Sequence, residues 1–225
     1  MSELVVNVHL WGKPVGALSW DASRGIAYFE YEPNFVRNPL PVSPIKMPVT
    51  KGVFSFAENR NNCFRGLPGF IADSLPDKFG DQIISEWFQT MGHPLETVTP
   101  LERLCYVGKR SMGALEFEPC LSTPGLDKST EILVDDLVML AESVFRDREK
   151  FREKLVQQDK TLYDILRVGT SAGGAKPKAI IAYNESTGEV RSGQVTAPKG
   201  FGYWLLKFDG VSYREHDSIT EIPRG

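Results

Sequence analysis

The sequence has little of what would place it at once in a chemical class. Three cysteines (Cys63, Cys105, Cys120) are an odd number without metal-ligand spacing, which argues against a disulfide framework and suits a reducing compartment. Each is expected to be a small buried hydrophobe. Three histidines (His9, His93, His216) are scattered along 225 residues, so neither a metal site nor a nucleophilic triad is supported. No run of about 18 apolar residues occurs, and no membrane-spanning helix is expected. The amino terminus, MSELVVNVHLWGKPVG, lacks a basic start and a small-residue cleavage site, and Asn7 and His9 interrupt its apolar stretch. It reads as a strand and not as a signal peptide, and a cytoplasmic protein is expected. Nor is there an excess of one charge: 26 basic against 29 acidic side chains give a net −3, which supplies no global field for wrapping nucleic acid.

What is present is enough apolar material for real cores, 41% hydrophobic with 11% aromatic residues, in one large domain or two small ones. Residues 4 to 31 read as a β-meander: Val5 to Leu10, Val15 to Trp20 and Ile26 to Tyr31, separated by Trp11-Gly12-Lys13-Pro14 and Asp21 to Gly25;. Five prolines at 33, 39, 41, 44 and 48 remove backbone donors, so 32 to 52 is expected to be a structured, extended loop. A helix starts near Leu75-Pro76-Asp77, with Phe79, Ile83, Ile84, Trp87 and Phe88 at helical spacing;. Thr99-Pro100-Leu101-Glu102 has the form of a capping box and opens a helix that ends at Gly108;. A strand over 113 to 117 closes this unit.

After a linker at Thr123-Pro124-Gly125, a helix over 130 to 146 is expected to carry Leu133, Leu137, Leu140 and Val144 on one face;. The charged run 146 to 160 reads as a solvated helix end or loop, and a short helix holds Leu162, Ile165 and Leu166. Strands follow over Ala179 to Tyr183, Val190 to Gln194 and Tyr203 to Phe208.

The chemistry concentrates in Val168-Gly169-Thr170-Ser171-Ala172-Gly173-Gly174-Ala175-Lys176-Pro177-Lys178. Glycines let backbone N–H groups approach phosphate oxygens, and the lysines bring positive charge. It is not a Walker A loop: Gly174 precedes Ala175-Lys176 instead of Lys-Ser or Lys-Thr, and a strand follows where that loop needs a helix. A glycine loop leading into a hairpin, then a strand with one lysine, Lys207, has the layout of a protein-kinase amino-terminal lobe. On pattern alone two plainer readings stay open, a ligand-free hairpin connection for the loop and an edge-strand lysine facing water for Lys207.

Four stretches in order carry a resemblance to a known family: Trp11 to Gly16; Phe70 to Asp77 with its helix; Val107 to Leu115; and Ser171 to Ala179. On these the chain resembles the amino-terminal half of HipA-family toxins, serine/threonine kinases of bacterial type II toxin–antitoxin pairs. The resemblance implies an α+β protein, with a β-meander-plus-helices subdomain over 1–120 followed over 126–225 by an incomplete kinase-like lobe. It implies a nucleotide site for ATP and Mg, with weak or absent binding expected in this chain alone, in which Ser171, Ala172, Gly173, Gly174 and Ala175 line the loop, Lys207 contacts the phosphates, and Lys178 is the basic residue after the loop. Ser171 matches the serine that such kinases autophosphorylate, and about two added negative charges there would repel ATP.

The complete family members continue into a helical lobe that supplies the catalytic aspartate and the metal-binding aspartate. Neither can be placed here. Asp209 and Asp217 follow Lys207 too closely, and the sequence ends at Ile222-Pro223-Arg224-Gly225. The expectation is therefore the amino-terminal portion of a kinase that in complete form phosphorylates a translation factor such as an aminoacyl-tRNA synthetase, inactive as it stands. Implied partners are a HipB-like DNA-binding antitoxin, DNA through it, the protein substrate of the full form and a second copy in a homodimer. The alternative is a non-catalytic module that binds a kinase toxin or such an antitoxin. The two apolar side chains Trp204 and Phe208 are expected to be exposed without the rest of a lobe.

Overall fold

Period-two alternation builds the first sheet. In β1 (Val5–Leu10), Val6, Val8 and Leu10 point into the core while Val5 and Asn7 face out;. Trp11 and Gly12, both at positive φ, reverse the chain so that Leu10 pairs with Lys13, and β2 (Lys13–Asp21) and β3 (Ile26–Tyr31) complete the expected antiparallel meander;. The short β4 (Val53–Phe54) and β5 (Leu115–Glu118) add to its two edges, giving the order β4-β3-β2-β1-β5. These elements belong to a computed structural model that describes residues 4–61, 63–111, 113–121, 129, 131–146 and 178–208. Gly16 lies where strands approach most closely: a Cβ there would meet the Glu30 carbonyl oxygen at 2.3 Å and the Phe29 ring at 2.6 Å.

The proline-rich stretch is not wholly extended. It opens with α1 (Pro33–Arg37), because Pro33 stands in the first turn, where the missing N–H is not needed;. Phe35 from this turn stacks on Tyr31, and Phe29 makes edge contacts with Tyr31 and Phe70. The one-turn α2 (Gly69–Ala72) adds Ile71 to the same core. The Tyr31 hydroxyl donates to the Met47 carbonyl at 2.9 Å, and burial pushes its pKa up to about 12;.

Both expected helices of this part form. Asp77 caps α3 (Lys78–Thr90), its carboxylate accepting from the Gly80 N–H at 2.8 Å;. The Thr99–Glu102 capping box opens α4 (Pro100–Val107), and Gly108, at φ 57°, ends it;. Leu101, Leu104 and Cys105 of α4 face the first sheet. Tyr106 and Val107, on its other side, join Phe79, Ile83, Trp87 and Phe88 of α3 in a second core.

That second core also takes in α5 (Val134–Arg146), through Leu137, Ala141 and Val144, and a three-stranded sheet in the order β7-β6-β8. Its strands are β6 (Lys178–Tyr183), β7 (Val190–Ser192) and β8 (Gly202–Lys207). The apolar cluster thus joins residues before 108 to residues after 131, on both sides of the expected linker. Leu133 does not belong to the buried face. It precedes the helix and is 62% exposed. Cys105 is buried as expected, but Cys63 and Cys120 are exposed; both lie outside regular elements, where no periodicity turns them inward. The charged run over 147–160, the helix expected around Leu162 to Leu166 and His216 lie outside the described residues.

Candidate functional site

Lys178 opens β6 and Lys207 closes β8, and the antiparallel register places them directly opposite one another. Residues so paired project to the same face of a sheet, with Cβ atoms about 5 Å apart. The two lysines singled out in the sequence are therefore neighbours in space. Their surroundings differ. Lys207 is exposed, whereas Lys178 is buried, its Nζ 4.0 Å from Oδ2 of Asp77 at the start of α3. The loop residues Ser171, Ala172, Gly173, Gly174 and Ala175, with Thr170 and Lys176, lie outside the described residues, as do Asp209 and Asp217.

Asp77 is the residue that sequence reasoning placed correctly as a helix start but did not connect to the site. Its side chain is 95% buried, being 5% exposed. One oxygen caps α3, while Oδ2 accepts no hydrogen bond among the described residues and faces Lys178 beyond hydrogen-bond length;. Burial raises the carboxyl pKa, against the pull of the Gly80 N–H and of Lys178;. Behind it, Asp81 of α3 pairs with Arg103 at 2.9 Å and with Arg65 at 3.0 Å. A Pro-Asp pair before an amphipathic run signals the cap, but no local pattern signals a partner so far along the chain.

Other polar groups serve packing. Arg110 is 2% exposed; its guanidinium lies over the Tyr106 ring at 5.0 Å and donates to the Tyr106 carbonyl at 2.5 Å;. Burial lifts the Cys105 thiol to about 12, which keeps it protonated and non-nucleophilic;. His93 packs against Phe88. Among the described residues no group of three His, Cys, Asp or Glu side chains could hold a metal ion, and no helix is long and apolar enough to cross a membrane.

Among the described residues, cavities open on both sheets. One of about 520 Å³ lies on the first sheet among Asn7, His9, Glu30 and Glu32, away from both lysines. The other, about 480 Å³ and apolar, lies on the second sheet between Val134, Ile181, Tyr183, Val190, Trp204 and Leu206. Trp204 is 53% exposed as expected; Phe208 is not, at 5%, because it turns back into the second core.

A family model described as the HipA N-terminal domain matches residues 6–118. The chain belongs to the HipA family. The matched segment holds the first sheet from Val6 to Glu118, with α3, α4 and Asp77, and it stops before β6. Among solved structures, the chain is similar to one from the Shewanella oneidensis MR-1 toxin–antitoxin complex of HipA, HipB and operator DNA, at 19% identity and a TM-score of 0.49. The match covers 83% of this chain and 37% of that one, so the HipA-family chain described here spans well under half of that relative's length. No curated protein sequence matches it.

Proposed function

We propose that this HipA-family chain holds the phosphates of Mg-ATP as part of a toxin kinase in a toxin–antitoxin pair. The observation that carries the reading is the direct opposition of Lys178 and Lys207 across β6 and β8. Like charges directly opposite in a sheet destabilise it; Asp77 offsets that of Lys178 in part, and a polyphosphate lying over that end of the sheet would offset the rest. The donor set fits an anion: the Lys207 ammonium, that of Lys178 partly offset by Asp77, and the glycine-rich stretch 169–176 shortly before β6, which would offer backbone N–H groups;. Bound magnesium would neutralise phosphate charge. Ser171 is the proposed modification site, whose phosphate would repel the nucleotide from the same lysines.

In the complete kinase the γ-phosphate would pass to a serine or threonine of a translation factor such as an aminoacyl-tRNA synthetase. A HipB-like antitoxin is the proposed partner, with DNA bound through it. Phosphoryl transfer requires a base and metal ligands held in line with the phosphate, and among the described residues no group of three His, Cys, Asp or Glu side chains could hold the metal. The chain alone should bind Mg-ATP and transfer nothing. Isothermal titration tests this: Mg-ATP should bind the wild type, and Lys207→Ala should weaken it at least about tenfold, the loss of one charge-assisted contact, with an unchanged circular dichroism spectrum. Equal affinity in the two proteins would overturn the reading.

A second reading, a non-catalytic interaction module, is favoured by one feature. Tyr203, Trp204 and Leu205 of the edge strand β8 are 43–56% exposed, an apolar run suited to covering by a kinase toxin, an antitoxin or a second copy.

A further inference from the structure

Lys178 already has an anion. The carboxylate that faces it belongs to Asp77, which lies within the segment matched by the HipA N-terminal domain, whereas Lys178 lies beyond it. Three features define this contact. The Asp77 side chain is 5% exposed and that of Lys178 is 9% exposed, so little water screens the pair;. At 4.0 Å the two are attracted without being hydrogen-bonded, and Oδ2 has no other hydrogen-bond donor among the described residues. Across the strand pair stands the second ammonium, Lys207, exposed.

We propose that Asp77 is a resident counter-ion for Lys178, so that the start of α3 and a bound phosphate compete for one ammonium group. Asp77 is thus a positioning residue: it acts on the anion site only through Lys178. With Asp77 ionised, its carboxylate offsets part of the positive charge at this end of the sheet; with the carboxylate removed, the positive charge facing an anion there rises;. The carboxylate is free to play this part because its other oxygen already satisfies the helix cap, a task that Asn or Ser performs as well;. The inference deepens the phosphate-site reading above and rests on it.

The test uses the full 225-residue chain and Mg-ATP, with pyrophosphate as a second probe. Asp77→Asn keeps the cap and removes the charge, and should tighten Mg-ATP binding by about fivefold, the scale of one charge removed beside a partly screened anion. Asp77→Ser, which also caps, should repeat the gain if the asparagine variant folds poorly. In a Lys178→Met background the same substitution should change affinity less than about twofold, whereas an effect on folding alone would not depend on Lys178. Unchanged or weaker binding in both Asp77 variants, while Lys207→Ala still weakens binding about tenfold or more, overturns the counter-ion role and leaves the phosphate site standing. Failure of wild type and all variants to bind either probe overturns both.

Discussion

The two sheets of this protein solve the same burial problem to different degrees. The first has five strands, one face closed over by α1, α2 and α4, and a core in which Val6, Val8, Leu18, Phe29 and Phe117 have no exposed surface. The second has three strands, one face on α3 and α5, and an edge strand whose residues 203–205 stay at least 43% exposed. The charged pair with the chemical potential sits on the less finished sheet. The lesson is a division of labour: the closed sheet gives stability, and α4 and the capped start of α3 lend that rigidity to the strands that carry Lys178 and Lys207.

The largest expected effects test whether the two cores are one cooperative unit. Phe29→Ala in the first and Leu137→Ala in the second should each cost about 3–5 kcal/mol in urea unfolding. Because α4 contributes to both cores, both variants should shift one transition; two separable transitions would break that view. Next in size is pH. The Tyr31 hydroxyl has a folded pKa near 12 against 10.0 unfolded. Its contribution is intact below pH 10 and is lost progressively as pH rises through 12;. Tyr31→Phe should remove that part of the alkaline loss, and an identical alkaline profile in the variant would contradict it.

Smaller effects sharpen the contrast. Thr99→Ala, which removes the capping-box hydroxyl of the helix shared by both cores, should cost about 1 kcal/mol, read from the thermal midpoint. Amide hydrogen exchange should protect β1 to β3 more strongly than β6 to β8, since the edge strand β8 has few buried neighbours; equal protection would erase the distinction. The smallest change is expected for Trp204→Thr, within about 0.5 kcal/mol of wild type, with reduced self-association in sedimentation velocity as its signature.

Much of the local structure was legible in the residues. Alternation gave β1 to β3, the Thr99–Glu102 pattern and Gly108 gave both ends of α4, and Asp77 gave the start of α3, because caps and periods act within a few residues of themselves. The turn of helix at Pro33 was missed, since five prolines outweighed the one suited to a helical first turn. Leu133 was assigned to a buried face that begins only after it. Phe208 was expected to be exposed, because nothing in a strand's own pattern shows where the chain turns after it.

For the candidate site the split is sharper. Glycine spacing and two lysines, by themselves, excluded a Walker-type loop and raised an anion as the ligand to test, with a ligand-free hairpin and a solvent-facing lysine still open;. Register and packing alone decided that Lys178 and Lys207 stand opposite each other and that Asp77 reaches only the first of them. The reason is physical: residue type fixes charge and local conformation, but which charges meet is set by hydrogen-bond pairing between strands and by the shared core that brings the end of a distant helix against β6.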